Sequence, residues 1–287
     1  MSTDYGEGVC PSCGEPLPTA TLEGIERLRK DIRKATELGR DEARFLVDAY
    51  YTTQENRIRA SHQARSLAQG EEPNAVVAWL LDQQWTLERE IRQVLDDFSS
   101  RSNPGVWAKS VCGIGPVIAA GLLCHIDIEQ APTVGHIWRF AGLDPTVEWK
   151  KKERRPWNAD LKRLCWLIGE SFVKVSGRES DVYGKVYLAR KEQEVAKNEA
   201  GMFADQAAQA LATKKWRDDT QAKAHYDAGK LPPGRIHSRA KRYATKLFLS
   251  HLHHTMYEDH FGTPPPKPYV VTHLGHAHYI PPPGWPL

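Results

Sequence analysis

The clearest functional signal in this chain is a Gly-Ile-Gly turn at residues 113–115. The run Val111-Cys-Gly-Ile-Gly-Pro-Val117 leads from a tight turn into a stretch of small and apolar residues typical of a helix. Glycine adopts φ values that other residues resist, and the first N–H groups of a helix lack intrahelical partners and bind anions. The pattern predicts a helix-hairpin-helix whose backbone grips a nucleic-acid phosphate without reading a base. The residues predicted to form this contact are Gly113, Ile114, Gly115 and Val117. The alternative is a plain tight turn between two core helices.

A basic cluster follows the hairpin. Its members are Lys150, Lys151, Lys152, Arg154 and Arg155. Basic side chains neutralise phosphates and release counterions, and the flanking Trp149 and Trp157 have rings that can stack on unpaired bases. We therefore expect this segment to contact nucleic acid. A solvated loop with both tryptophans in the core is the alternative.

A second basic pattern lies further along the chain. Arg235, Arg239, Arg242 and Lys246 are spaced by four, three and four residues, which places them on one face of a helix. Such a stripe can lie along a nucleic-acid backbone, although many stripes of this kind are solvated helix faces.

Three short motifs occur in a set order around these residues. They are Gly113-Ile-Gly-Pro-Val-Ile-Ala-Ala120, Ala141-Gly-Leu-Asp-Pro145 and Asn158-Ala-Asp-Leu-Lys-Arg-Leu164. Together they resemble the C-terminal domain of the insertion-sequence transposases that pair a RuvC-like acidic domain with a serine-bearing domain. The resemblance covers roughly residues 104–175 and implies a nucleic-acid-binding domain. Those transposases also carry a coiled-coil segment ahead of the hairpin domain, which implies self-association here.

The chain departs from that family at the catalytic positions. The family's serine belongs between the Gly-Leu-x-Pro element and the Asn, but residues 146–157 contain no serine and Ser176 follows the Asn helix. The first hundred residues show no alternating strand pattern with aspartates. We therefore assign no catalytic residue and expect no self-sufficient transposase. An active transposase or recombinase subunit would need an acidic domain from another chain and a serine such as Ser176.

Other classes of activity find weaker support. Asp127, Asp144 and Asp160 surround the hairpin and could bind Mg²⁺, but their spacing does not require it. A DNA glycosylase also uses such a hairpin, yet Gly135 and His136 stand where its catalytic Asp is expected. A structural or adaptor protein that binds partners through its N-terminal helices remains an alternative.

A metal site is predicted from the two ends of the chain. Cys10 and Cys13 form half a zinc knuckle, because a Cys-x-x-Cys turn aims two thiolates at one ion. Zinc prefers four ligands, and the tail offers His273 and His276. We expect a structural zinc ion if the termini meet.

Composition and charge limit the class of protein and the compartment in which we expect it. The net charge of +3 hides an asymmetry, because residues 1–100 hold 12 Lys and Arg against 18 Asp and Glu, whereas residues 101–260 hold 26 against 18. No apolar run approaches the roughly 18 residues of a membrane helix. Residues 1–14 lack the apolar core of a signal peptide. The five cysteines have no spacing typical of a disulfide framework, which favours a reducing compartment. We expect a cytoplasmic protein of a prokaryotic or phage-infected cell that makes no membrane contact.

The elements that position these residues are predicted to be mainly α-helical. Residues 1–20 form the candidate zinc segment, and residues 21–100 read as a long, coiled-coil-like αα-hairpin that could pair two copies into a homodimer. Residues 101–260 form the helix-hairpin-helix domain, and residues 261–287 form an extended tail rich in Pro and His. The sequence thus predicts a nucleic-acid-binding protein of a mobile element or phage, with DNA favoured over RNA.

Overall fold

A computed structural model of the protein describes residues 38–68, 74–150, 152–266 and 280–286. Within these ranges the regular structure consists of ten helices and no strand, so the prediction of a mainly helical protein is confirmed. None of the helices in the described ranges has the length and apolar character needed to cross a bilayer. The chain separates between Phe98 and Ser99 into two compact units, which are considered one at a time.

The first unit contains α1 (Arg40–Ala68) and most of α2 (Ala75–Ser99). Asn74 caps α2, because its Oδ1 accepts the N–H of Val76 at 2.9 Å. A side-chain network joins the two helices: Arg57 Nε donates to Glu88 Oε2 at 2.6 Å, and Gln54 donates to Glu88 Oε1 at 3.2 Å. Burial raises the pKa of Glu88, but the hydrogen bonds and charge of Arg57 outweigh burial and hold it below its ordinary value.

The second unit contains the other eight helices, with one long helix at its centre. They are α3 (Asn103–Ser110), α4 (Pro116–His125), α5 (Val134–Phe140), α6 (Ala159–Val175), α7 (Tyr183–Glu199), α8 (Ala204–Thr213), α9 (Gln221–Asp227) and α10 (Pro233–Phe261). The central helix α10 packs against α3, α5, α6 and α7, and α6 also packs against α4 and α7. The hairpin helices and the basic helix α10 are therefore parts of one packed body.

Aromatic rings fill the core of this body. Trp107 of α3 stacks on Phe248 of α10 with centroids 5.8 Å apart, and Phe172 of α6 stacks on Tyr183 of α7 at 4.9 Å. All four side chains are fully buried, and burying each large ring contributes about 1.5–3 kcal/mol. Phe172 also contacts Phe248 edge to face, with centroids 5.6 Å apart. These ring contacts fix α3, α6 and α10 relative to one another, so residues on their outer faces keep a defined spacing.

The end of the Pro-rich tail packs against this core. Trp107 Nε1 donates to the carbonyl of Pro283 at 2.8 Å, and Trp285 Nε1 donates to Glu258 Oε2 at 2.7 Å. His251 Nε2 donates to the carbonyl of Ile280 at 2.9 Å. Residues 280–286 thus belong to the second unit, whereas residues 267–279 of the predicted tail lie outside the described ranges.

Candidate nucleic-acid interface

The hairpin turn between α3 and α4 is pinned to α6. The carbonyl of Val111 accepts the N–H of Ile114 at 3.0 Å, and Gly113 has φ of +94°. Ser171 Oγ of α6 donates to the carbonyl of Gly113 at 2.5 Å. A Cβ on Gly113 would lie 3.0 Å from Ser171 Oγ and 3.2 Å from Val175 Cγ2. Both the φ value and this close approach require glycine at position 113.

The start of α4 offers backbone N–H groups to an anion. Gly115 is the N-cap and provides no side-chain hydrogen bond, and Pro116 follows at the first helical position. The amides of Val117 and Ile118 in the first turn therefore receive no cap from a side chain. A Cβ on Gly115 would meet none of the described atoms within 4 Å, so the approach to this turn is open.

The apolar residues of the hairpin contribute only their backbone to such a contact. The side chains of Ile114 and Val117 are 5% and 6% exposed. Ile114 belongs to the aromatic core described above. A ligand at the hairpin would therefore meet the N–H of Val117 rather than its side chain, and the N–H of Ile114 is already used within the turn.

The basic loop between α5 and α6 is exposed and closed on itself. Lys150, Lys152, Arg154 and Arg155 are exposed, and Lys151 lies outside the described residues. Trp149 Nε1 donates to the carbonyl of Glu153 at 2.9 Å, and the N–H of Glu153 donates to the carbonyl of Lys150 at 3.2 Å. These bonds close the loop between Trp149 and Glu153, and its described cationic side chains stay exposed.

The Ala-Gly-Leu-Asp-Pro motif ends α5 and leaves room for Trp157. Gly142 has φ of +63°, and the N–H of Leu143 donates to the carbonyl of Trp138 at 2.8 Å, as in a helix C-cap closed by glycine. A Cβ on Gly142 would lie 2.8 Å from Trp157 Cγ. The N–H of Asn158 donates to the carbonyl of Phe140 at 2.8 Å, and Asn158 Oδ1 caps α6 by accepting the N–H of Leu161. The motif therefore joins the basic loop to the start of α6.

Four cations from three separate elements converge beside this junction. We call them the basic surface: Arg155 of the loop, Lys162 of α6, and Arg242 and Lys246 of α10. Burial and the charges of Arg242 and Arg155 lower the pKa of Lys162. Burial and Arg242 lower the pKa of Lys246, against an opposing effect of Asp144. Over the described ranges, none of the four forms an ion pair with a carboxylate. The surface therefore holds like charges whose repulsion an anion would relieve.

Indole rings alternate with these cations. Lys162 Nζ lies 3.8 Å from the centroid of the Trp157 ring. Lys246 Nζ lies 4.0 Å from that of Trp138. Trp149 contacts Trp157 with centroids 6.2 Å apart. Cations seated on ring faces are held in place while part of each charge stays accessible.

The arginine stripe on α10 divides into structural and accessible members. Arg239 Nε donates to Glu194 Oε2 at 2.5 Å, and Arg190 pairs with the other oxygen of this carboxylate at 2.6 Å. Glu194 is only 1% exposed, so Arg239 serves a buried ion pair. Arg235 and Arg242 are exposed. A shared helix face in the sequence pattern thus does not give these arginines equal roles.

The hairpin and the basic surface lie at opposite ends of α6. The turn contacts Ser171 and Val175, whereas Lys162 is nine residues earlier on the same helix. At 1.5 Å per residue this separation is about 14 Å along the helix axis. Sequence reasoning did not include Lys162 among its candidate residues, although its position four residues after the N-cap Asn158 places it on the first turns of α6.

The candidate catalytic and metal residues do not form a centre in the described parts of the chain. No group of three or more His, Cys, Asp or Glu side chains there is placed to hold a metal. Ser176 Oγ donates to the carbonyl of Val173 at 2.9 Å at the end of α6, and Asp144 Oδ1 accepts from Thr146. The predicted zinc ligands Cys10, Cys13, His273 and His276 lie outside the described residues, and zinc binding stays a prediction.

Comparison of the chain with models of known protein families, with curated proteins and with solved structures found no match. Its function is therefore inferred from the geometry of the hairpin and the basic surface.

Proposed function

We propose that this protein binds nucleic acid, DNA in preference to RNA, through the phosphate backbone. The observation that supports this most directly is the convergence of Arg155, Lys162, Arg242 and Lys246, none of which forms an ion pair with a carboxylate in the described residues. Bringing like charges together costs free energy in the free protein, and a row of phosphates recovers it while releasing counterions. The basic residues of the neighbouring loop extend the same field.

The hairpin supplies a second, uncharged contact in this proposal. The N–H groups of Val117 and Ile118 point out of an uncapped helix start, where the helix dipole favours an anion. Both contacts recognise backbone rather than bases, so affinity depends steeply on salt and weakly on sequence. We place the protein in a mobile element or phage, in the cytoplasm of a prokaryotic cell, as a relative of transposases to which no catalytic residue is assigned.

The basic surface is tested by fluorescence anisotropy against labelled DNA across a salt series. Lys162→Gln/Arg242→Gln removes two central charges of the surface. Lys214→Gln/Lys215→Gln is the matched control, because it removes two exposed charges from the segment between α8 and α9. Each lost phosphate contact lowers the slope of log affinity against log salt by about one. The proposal is overturned if the two variants bind DNA equally, or if the wild-type affinity does not depend on salt concentration.

The hairpin contact is tested at Gly115, because any side chain at Gly113 strains the turn. Gly115→Asp fits the open space, and its carboxylate caps the N–H groups that a phosphate would otherwise take. Gly115→Ala leaves those groups accessible. We expect Gly115→Asp to keep the fold and weaken binding, and Gly115→Ala to bind like wild type. Equal affinities for the two variants would show that the hairpin is only a turn.

Self-association through the first unit is a second candidate property. Large apolar side chains of α1 and α2 are exposed: Phe45, Leu67, Val76, Trp79 and Leu87. Exposed apolar side chains in this number favour a protein contact, and the coiled-coil pattern of the sequence favours a second copy of the chain. Sedimentation equilibrium tests this directly. We expect Leu87→Glu to shift a wild-type dimer toward monomer, and a monomeric wild type excludes the homodimer.

A further inference from the structure

One large aromatic side chain stands in solvent within a charged region. Trp166 of α6 is 59% exposed. Tryptophan is usually highly buried, because its ring is the largest apolar surface that a side chain carries. In the described ranges the Trp166 ring has neither an aromatic neighbour nor a hydrogen bond to its indole nitrogen. The position is therefore not explained by packing.

Helix geometry places this ring at the edge of the basic surface. Trp166 follows Lys162 by four residues, so the two side chains are neighbours on one face of α6. One turn further, Glu170 forms an ion pair with Lys241 of α10. At Gly169, α6 and α10 approach so closely that a Cβ would lie 3.2 Å from Thr245 Oγ1. Trp166 thus stands on the flank of α6 that faces α10, between Lys162 and the Lys241 pair.

The chemistry around the ring selects its partner. By the same spacing, the charged neighbours of the ring on α6 are Lys162, Arg163 and Glu170, and Glu170 is already paired with Lys241. The charge of Arg242 acts on Lys162, and neither Lys162 nor Arg242 has a carboxylate within ion-pair distance in the described residues. A partner that satisfies these charges is anionic, and a partner that covers an indole face offers a flat, apolar ring. An unpaired nucleotide carries both properties in one unit, whereas a duplex hides the faces of its bases within the stack.

We propose that Trp166 stacks on an unpaired base while Lys162 and Arg242 hold the adjacent phosphates. The protein then prefers nucleic acid with a single-stranded or interrupted segment over an unbroken duplex. This inference rests on the proposed function and names the substrate class that its basic surface selects.

The test measures affinity for a single-stranded DNA, the RNA of the same sequence, a gapped duplex and an unbroken duplex. Trp166→Ala is compared with Trp166→Phe, which keeps a ring, and with Met202→Ala, which removes an apolar side chain of 65% exposure from the segment between α7 and α8. Wild type should bind the three substrates that contain unpaired bases more tightly than the unbroken duplex. We expect Trp166→Ala to weaken binding to those three by about five- to one-hundred-fold. Affinity for the unbroken duplex and the salt slope should not change, because stacking releases no counterions. Trp166→Phe should retain most of the affinity, and Met202→Ala all of it.

The outcomes separate this inference from the proposed function. If Trp166→Ala binds every substrate like wild type while Lys162→Gln/Arg242→Gln binds poorly, stacking is wrong and backbone binding stands. The exposed ring is then a contact for a protein. If wild type binds none of the substrates, both proposals fail. If Trp166→Ala unfolds at a lower temperature than wild type and loses affinity for all substrates equally, the ring has a structural role, which contradicts stacking.

A second measurement does not depend on the variant's folding. A strand containing 5-bromouracil is irradiated with the wild-type protein, and the crosslinked peptide is identified by mass spectrometry. Stacking predicts a crosslink at Trp166, and crosslinks only at other residues contradict it.

Discussion

The Nζ of Lys162 lies 3.8 Å from the centroid of the Trp157 ring, and the same ring packs against Gly142 at the end of α5. Trp157 therefore connects the C-terminus of α5, the basic loop and the first turns of α6. This contact is what gives Lys162 its place beside Arg155 and Arg242. The position of Lys162 in the basic surface consequently depends on Gly142, which has no side chain to displace Trp157.

Gly142→Ala should damage both stability and binding. Its φ of +63° disfavours any Cβ, and that Cβ would lie 2.8 Å from Trp157 Cγ and 3.1 Å from Lys162 Cδ. We expect a loss of about 2 kcal/mol in the free energy of unfolding, from the strained φ and the displaced ring together. Urea denaturation measures the loss, and anisotropy measures the accompanying fall in affinity for nucleic acid.

Gly201→Ala is the matched control for that variant. Gly201 has a similar φ of +74°, but a Cβ there would meet no described atom within 4 Å. It should lose about 1 kcal/mol from φ strain alone and bind nucleic acid like wild type. Equal losses of stability and affinity in both variants would contradict a positioning role for the Gly142–Trp157 contact.

The sequence predicted the local features and missed those that depend on packing between distant segments. The tight turn at Gly113 follows from residue types within a few positions. The approach of Lys162 to Arg242 joins residues eighty positions apart and depends on how α6 packs against α10. Periodicity could not separate Arg239 from Arg242, because the carboxylate that Arg239 serves lies on another helix.

As pH rises, the affinity for nucleic acid should begin to fall at a lower pH than that at which an unperturbed lysine loses its charge. Burial and neighbouring cations lower the pKa of Lys162 and of Lys246 in the free protein. A bound polyanion favours the charged forms and raises both pKa values, so binding takes up protons and weakens as pH rises through the free-state pKa values. Anisotropy with single-stranded DNA, from about pH 7 upward at fixed salt, measures the effect; an ordinary lysine titrates near pH 10.4.

Arginine substitutions identify the lysines responsible. Lys162→Arg/Lys246→Arg keeps the charges but places their titration well above the tested range, so the fall in affinity should flatten. Lys214→Arg/Lys215→Arg should leave it unchanged. A wild-type affinity that stays constant over this range would exclude a titrating role for the two surface lysines.

Arg239→Gln should cost stability rather than binding. Its guanidinium holds one oxygen of the buried Glu194, whose other oxygen pairs with Arg190. Burial raises the pKa of Glu194, but the hydrogen bond and charge of Arg239 outweigh it and hold the pKa below its ordinary value. Removing one partner of a buried pair typically costs 3–5 kcal/mol, and the remaining Arg190 reduces the expected loss here to about 2 kcal/mol.

Arg235→Gln is the comparison for this variant, because Arg235 lies on the same helix and is exposed. We expect it to unfold like wild type in urea, while Arg239→Gln unfolds at lower denaturant with little change in the salt slope for nucleic acid. A reduced salt slope without loss of stability in Arg239→Gln would instead identify Arg239 as a phosphate contact.

Acid should destabilise the second unit before its carboxylates titrate. His251 accepts a hydrogen bond from the Tyr183 hydroxyl at Nδ1 and donates from Nε2 to the carbonyl of Ile280. Burial, with a smaller effect of His254, lowers the pKa of His251 to about 4, although the bond to Ile280 opposes this shift. In the unfolded chain the imidazole titrates near pH 6.5.

The sign of the pH effect follows from this difference. As pH falls from about 6.5 to about 4, the unfolded state binds a proton that the folded state does not. The free energy of unfolding therefore drops across this window by about 2–3 kcal/mol from His251 alone, and the stability present above pH 6.5 is lost. The pKa of His253 is also lowered by burial, so it acts in the same direction.

Urea denaturation at several pH values measures this loss. His251→Gln keeps a donor for Ile280 and removes the titrating group, so its stability should fall less between pH 6.5 and 4 than that of wild type. His136→Gln, at an exposed histidine of the same unit, should follow the wild-type curve. Parallel curves for wild type and His251→Gln would show that His251 titrates alike in the folded and unfolded states, and that burial does not hold it neutral.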